Sequence, residues 1–162
     1  MDITLKIGTR SETVQVPEAN LQGILTPNEV SVALTGEAEV WRALNEPIGT
    51  PRLRDIVHPG EKIAIITSDI TRPMPTWKVM PALLDELYDA GVKREDITLV
   101  FALGSHRCHT EEEQRHLAGD RAWSEITCVD GNTADCVHIG VTSRGTPVRV
   151  SPALSPVRPG TS

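Results

Sequence analysis

The sequence predicts an α/β fold in which a mostly parallel sheet with flanking helices follows an amino-terminal β-hairpin. Residues 63–66 and 97–103 form two continuous apolar runs, which is typical of strands covered on both faces. Between them, apolar residues recur at spacings of three and four and predict one face of a helix, namely Trp77, Met80, Leu83, Leu84, Leu87 and Tyr88. A strand, a helix and a second strand make a parallel βαβ unit, so we expect a Rossmann-like sheet.

The remaining elements are predicted from alternation, caps and turns. Residues 3–16 alternate between apolar and polar side chains around a turn at residues 8–10, which predicts the hairpin. Asn28 can cap a helix over residues 29–45, in which Gly36 is the weak position. Thr110 precedes three glutamates and predicts a helix that ends near Gly119.

The carboxyl-terminal third is predicted to add short strands and then lose its apolar pattern. Strands are expected at residues 126–129, 137–141 and 148–150. Residues 1–150 are therefore expected to form one α/β domain. Residues 151–162 are rich in proline and are expected to be disordered.

Composition argues against several classes of protein. The chain has 162 residues and a net charge of -6 without a basic cluster, which argues against nucleic acid or an anionic membrane as partner. No segment approaches the roughly 20 apolar residues that span a bilayer, and the amino terminus lacks a signal-peptide core, so a cytoplasmic location is expected. The three cysteines, Cys108, Cys128 and Cys136, form no CxxC pair and are expected to be reduced.

Polar residues follow both strands of the βαβ unit. Asp69, Thr71 and Arg72 come after the first strand, and Gly104 and His106 come after the second. Ligands of an open parallel sheet bind outside the carboxyl ends of its strands, so these residues are expected to face one crevice. The same loops also carry Ser68, Ser105, Arg107 and His109.

Three of these side chains suit the binding of a small acid and the transfer of a proton. The guanidinium of Arg72 can bind a carboxylate or phosphate through two hydrogen bonds, and Asp69 can bind a hydroxyl. The alternative is a loop ion pair in which Asp69 also caps the following turn. His106 can transfer a proton near neutral pH, although a loop histidine can equally be a solvated side chain.

Other candidates in the sequence have simpler explanations. His109 belongs to the helix start, and His58, His116 and His138 are expected to be structural or solvated. A metal site of His106, His109 and Cys108 is an alternative, but its spacing matches no familiar zinc pattern. Residues 143 and 144, a serine and an arginine, can line the crevice or serve only their turn.

Three separated motifs carry a family resemblance. They are SDITRP at residues 68–73, ALGSHR at 102–107 followed by HTEEE at 109–113, and TSRGTPV at 142–148. Their order and the intervening helix and strands resemble the amino-terminal domain of the nickel-dependent lactate racemase family over residues 1–150.

The resemblance implies a two-domain isomerase that interconverts the stereoisomers of lactate or a related 2-hydroxy acid. Its cofactor would be a nickel-pincer nucleotide, which accepts the substrate's hydride while a histidine takes the hydroxyl proton. His106 matches that histidine and Arg72 the arginine that holds the substrate. Asp69 matches an aspartate beside the cofactor, and Thr71 and Gly104 lie in the same two loops and are assigned to cofactor binding.

The family pattern continues beyond the third motif with features that this sequence lacks. They are a second catalytic histidine, the lysine that tethers the cofactor, a nickel-binding histidine and a carboxyl-terminal domain. We therefore expect a truncated or incompletely recorded racemase that is inactive alone. The alternatives are a non-catalytic nucleotide- or hydroxy-acid-binding domain that works with a separate chain, and a remnant without function.

Overall fold

The computed structural model describes residues 1–72, 74–131, 134 and 136–154. Within these residues the chain forms seven strands and four helices. Their bounds are β1 Asp2–Ile7, β2 Arg10–Gln15, α1 Glu37–Asn45, β3 Ile63–Ser68, α2 Thr76–Asp89, β4 Ile97–Ala102, α3 Glu111–Ala118, α4 Asp120–Glu125, β5 Thr127–Asp130, β6 Val137–Val141 and β7 Pro147–Val150. The chain divides into two compact units, residues 1–33 and 34–162.

The amino-terminal unit contains the predicted hairpin. Strands β1 and β2 pair antiparallel, with Ile3 opposite Val14. The hydroxyls of Thr4 and Thr13 lie 2.9 Å apart across the pair. Gly8 occupies the turn with a φ of 60°, a left-handed conformation that glycine adopts without steric cost. The expectation of a β-hairpin is confirmed.

The second unit contains a parallel sheet in the order β3-β4-β5. Its register places Ile66 opposite Val100 and Phe101 opposite Asp130. Helix α2 joins β3 to β4, and helices α3 and α4 join β4 to β5. This arrangement confirms the predicted α/β fold with a parallel sheet and helices.

Helices α2, α3 and α4 pack on one face of the sheet. Met80, Leu84 and Leu87 of α2 and Phe101 of β4 are almost completely buried in this core. On the opposite face Ile66 is 59% exposed, so the prediction that its strand is covered on both faces is wrong for the described residues. An apolar run indicates a strand, but it does not show which face another element covers.

Ion pairs connect the helices to neighbouring segments. Arg52 donates two hydrogen bonds to the fully buried carboxylate of Glu86 on α2, at 3.0 and 2.8 Å, and this guanidinium lowers the pKa of Glu86. On α4, Arg121 donates to Glu125 at 3.2 Å and to the carbonyl oxygen of Pro81 at 3.1 Å. The charged groups nearest the core are thus bonded to partners of opposite charge or to the backbone.

Two predicted helix boundaries change. Helix α1 begins at Glu37, eight residues after the predicted start, because Gly36 has a φ of 60° that an α-helix does not admit. Asn28 therefore caps no helix. Thr110 caps α3 through a capping box with Glu113, as predicted, but Gly119 then separates α3 from a short α4 that the sequence pattern did not predict.

The last described residues form a second hairpin. Strands β6 and β7 pair antiparallel as a separate sheet and do not extend the parallel one. A single 3-10 turn, Pro152–Leu154, follows them. The expectation of disorder for the rest of the tail falls on residues 155–162, outside the described residues. Among the described helices, we find none with the length and apolar character that crossing a bilayer demands.

Candidate active site

A cleft lies where β3 and β4 end. Its volume is about 670 Å³. It is lined by Ile66, Thr67, Ser68, Asp69, Arg72, Met74, Ala102, Leu103, Gly104, Ser105 and His106. The structure therefore brings together Asp69, Arg72, Gly104 and His106, which the sequence placed at two strand ends, and Thr71 contacts Asp69 beside them. The hydroxyls of Thr67 and Thr76, 2.6 Å apart, tie the end of β3 to the start of α2.

Asp69 is the buried acid of this cleft. It is only 4% exposed, and its Oδ1 accepts hydrogen bonds from the hydroxyl of Thr71 at 2.7 Å and the amide of Thr71 at 3.2 Å. These bonds form the turn cap that the sequence allowed. The Thr71 hydroxyl and the His106 imidazole hold the pKa of Asp69 below its usual range, against the opposing effect of burial. Asp69 is therefore a carboxylate at neutral pH.

His106 is oriented by that carboxylate. Its Nδ1 bonds to Oδ2 of Asp69 and lies 3.5 Å from the hydroxyl oxygen of Thr71. A carboxylate can only accept a hydrogen bond, so Nδ1 carries a proton and Nε2 is the free base of the neutral ring. The side chain is 44% exposed, and within the described part of the chain no group bonds to Nε2. The ring can therefore take a proton from a ligand.

A tight turn presents His106 to the cleft. The His106 amide donates to the carbonyl oxygen of Leu103 at 3.0 Å, and Gly104 inside this turn has a φ of 59°. This left-handed φ favours glycine at position 104. A Cβ atom there would meet no other atom within 4 Å, so the space beside the turn is open. A ligand can approach the backbone at this position.

Arg72 supplies the cation of this cleft. Its amide donates to the carbonyl oxygen of Asp69 at 3.1 Å, and its Nη1 donates to the Thr71 hydroxyl at 3.3 Å. The ion pair between Asp69 and Arg72 that the sequence allowed does not form, and no other described carboxylate lies within ion-pair distance of the guanidinium. The exposed guanidinium can bind an anionic ligand.

His109 has a larger structural part than the sequence indicated. Its side chain is 1% exposed, and its Nδ1 lies 2.6 Å from Oδ1 of Asp130 at the end of β5. Its Nε2 accepts a hydrogen bond from the amide of Ile70 at 3.0 Å. Asp130 was not among the residues expected at the site, although its place directly after a buried strand is the same signal that identified Asp69.

The remaining candidates lie away from the cleft. Residues 143 and 144 are exposed in the turn between β6 and β7 and do not line the cleft, and His58, His116 and His138 are exposed as expected. Among the described residues, no three His, Cys, Asp or Glu side chains are grouped so that they could hold a metal ion. Both ring nitrogens of His109 are hydrogen-bonded, so in this arrangement His109 offers no free nitrogen to a metal ion.

Comparison with known proteins gives concordant matches. The chain is 36% identical over 121 residues to the lactate racemase of Thermoanaerobacterium thermosaccharolyticum and 32% identical over 113 residues to that of Lactiplantibacillus plantarum, covering 74% and 68% of this chain. It spans only 28% and 26% of the length of these two curated relatives.

A solved structure and a family model agree with these relatives. The apoprotein of the Thermoanaerobacterium thermosaccharolyticum lactate racemase superposes with a TM-score of 0.77 at 30% identity, over 94% of this chain and 36% of that one. The family model described as the lactate racemase N-terminal domain matches residues 7–155. The chain therefore belongs to the family of lactate racemase N-terminal domains.

Proposed function

We propose that this chain supplies one wall of the active site of a nickel-pincer-dependent racemase of lactate or a related 2-hydroxy acid. One observation carries the proposal: in the described part of the chain, a histidine that is held by a buried carboxylate has no partner at Nε2, and it shares a cleft with an arginine that has no acidic partner. A 2-hydroxy acid offers a hydroxyl proton to such a base and a carboxylate to such a cation.

The roles follow from the chemistry of each side chain. Arg72 binds the substrate carboxylate through its planar fork and so fixes the orientation of the molecule. His106 takes the hydroxyl proton at Nε2 and returns it in the reverse direction. Asp69 keeps the ring in the required tautomer and stabilises the imidazolium that forms. The second catalytic histidine of the family pattern would come from outside this wall.

The family cofactor fits this chain only in part. When bound, a nickel-pincer nucleotide would supply reversible hydride transfer at the substrate carbon. Asp69 and the open turn at Gly104 line the cleft and would contact its organic part, together with Thr71, which is bonded to Asp69. The described residues provide no set of nickel ligands, and no lysine is among the residues that line the cleft. The tether and the metal ligands would come from outside the described part.

A chimera tests the proposed function. Residues 7–155 of this chain replace the matching region of the Thermoanaerobacterium thermosaccharolyticum lactate racemase, and the protein is loaded with the nickel-pincer nucleotide. The conversion of L-lactate to D-lactate is then measured. We expect turnover, and we expect His106→Ala to lower it about 10²- to 10⁴-fold, as for the loss of a general base. His58→Ala is the matched control, since His58 is exposed and precedes the sheet.

Two outcomes would contradict this function. Near-normal turnover of the His106→Ala chimera would exclude His106 as the proton acceptor. A folded, loaded chimera without turnover would favour the second candidate, a hydroxy-acid-binding domain, provided that nuclear magnetic resonance of the 162-residue chain shows lactate binding at Arg72. This second candidate rests on the exposed guanidinium of Arg72, which pairs with no acid in the described part of the chain and can bind a carboxylate whether or not a reaction follows.

A further inference from the structure

We infer that His109, held by Asp130, is a positioning residue that sets the loop of Asp69 against the loop of His106. The inference rests on the proposed function, because it concerns the geometry of the pair that would accept the substrate proton. His109 follows His106 by three residues, and Ile70 directly follows Asp69. The hydrogen bond from the Ile70 amide to His109 therefore joins the two loops next to the reactive pair.

Asp130 bonds to both the ring and the backbone amide of His109. Its Oδ1 lies 2.6 Å from Nδ1 of His109, and its Oδ2 accepts the backbone amide of His109 at 2.8 Å. The Phe101 ring and the imidazole pack in a T-shaped arrangement, with 5.5 Å between the ring centres. With one carboxylate holding both the side chain and the backbone, the ring has a single orientation.

The other ring nitrogen is committed to the Asp69 loop. The Ile70 amide donates to Nε2 of His109, so Nε2 carries no proton and Nδ1 donates to Asp130. Asp130 ends β5, His109 lies between β4 and α3, and Ile70 follows β3. One imidazole thus connects the ends of all three parallel strands.

Among the described residues, the hydrogen bond from the Ile70 amide is the one that links the loop of Asp69 to the ring of His109. Its loss would change the position of this loop. Ile70 is 40% exposed, so without this acceptor its amide would bond to solvent and the loop would lose the bond that holds it in place. Asp69 would move with it. Hydrogen bonds weaken steeply as their geometry departs from linear, so this displacement weakens the bond between Asp69 and Nδ1 of His106.

The test measures both loops by nuclear magnetic resonance on the 162-residue chain. In His109→Leu we expect the Ile70 amide to exchange with solvent about tenfold faster and the Nδ1 proton of His106 to lose its hydrogen-bonded, low-field signal. His109→Gln should restore most of the protection at Ile70, because its side-chain oxygen can accept the same bond. His58→Leu is the control and should leave both signals unchanged.

A purely structural part for His109 gives a different result. The melting temperature of His109→Leu would fall while both signals stayed at their original values, and this outcome would overturn the inference. If His109→Leu does not fold, Asp130→Asn provides the same measurement with a smaller change in shape. Unchanged signals in a folded Asp130→Asn would also overturn it. The measurement needs neither lactate nor turnover, so its failure is distinct from a failure of the proposed racemase.

Discussion

Two histidine–aspartate pairs, whose histidines are three residues apart in the chain, differ in whether the second ring nitrogen is bonded. In both, Nδ1 of the imidazole bonds to an aspartate near the end of a parallel strand. The side chain of His106 is 44% exposed and its Nε2 has no partner among the described residues, whereas the side chain of His109 is 1% exposed and its Nε2 accepts a hydrogen bond from the Ile70 amide. The same chemical pair can therefore accept a proton in one place and fix a loop in the other. The free nitrogen makes the difference.

The largest effect is expected from a substitution that disrupts the His106–Asp69 pair, called the reactive pair, and leaves the His109–Asp130 pair intact. In the chimera, Asp69→Asn replaces a pure acceptor with an amide that can donate to Nδ1 of His106, so the ring would carry its proton on Nε2 and lose its free base. We expect turnover of lactate to fall about 10²- to 10⁴-fold. Steady-state rates measure this change.

The matched substitution at the second pair should have a smaller effect. Asp130→Asn alters a residue that acts on His106 only through His109 and Ile70, and changes of this kind typically lower activity about 10- to 100-fold. Equal losses in Asp69→Asn and Asp130→Asn would contradict the distinction between the two pairs. A loss confined to Asp69→Asn would show that the His109 pair is not needed for turnover.

The next effect concerns substrate binding. Arg72→Lys keeps the positive charge but replaces a planar fork with a point charge, so the carboxylate of lactate loses one of two parallel hydrogen bonds. We expect the KM for lactate in the chimera to rise about tenfold, the change that corresponds to about 1.4 kcal/mol. Steady-state kinetics over a range of lactate concentrations measure it. An unchanged KM would remove Arg72 from the binding site.

Local sequence signals predicted most of the fold. Continuous apolar runs marked β3 and β4, helical spacing marked α2, and the Thr110 cap marked α3, because each signal lies within one element. The predicted start of α1 is wrong because the left-handed conformation of Gly36 outweighs the capping signal of Asn28. The exposed side of Ile66 could not be predicted, because it depends on which distant elements cover the sheet.

The site divides in the same way. The rule that ligands bind at the carboxyl ends of parallel strands is enough to predict, from the sequence alone, that Asp69, Arg72 and His106 share one crevice. It does not predict the bond between His109 and Asp130, whose residues are 21 positions apart in the chain. Histidine and aspartate are both common residues, so residue type alone does not predict which aspartate bonds to which histidine. The bond between His109 and Asp130 depends on how the chain after β4 folds back to place β5 beside β4.

The smallest expected effect is a change in the pKa of Asp69, which shows what keeps the acid of the His106 pair ionised. The Thr71 hydroxyl is the largest cause that holds the pKa of Asp69 below its usual 3.8, followed, among the groups that lower it, by His106. Because the pKa in the folded state is lowered, the contribution of these bonds to stability is present above 3.8 and is lost as the pH falls through the lower folded-state pKa.

Thr71→Val keeps the shape of the side chain and removes this donor. We expect the pKa of Asp69 to rise toward 3.8 while its bond to His106 persists, so that the stability of the site would be lost at a higher pH than in the unsubstituted chain. A titration of the Asp69 carboxyl carbon by nuclear magnetic resonance measures the change, with Thr4→Val in the amino-terminal hairpin as the control. If the carboxyl titrated at the same pH in Thr71→Val and in the unsubstituted chain, the imidazole of His106 and the backbone amide of Thr71 would be enough to hold Asp69 ionised. The Thr71 hydroxyl would then serve the turn after β3 and would not set the ionisation of the reactive pair.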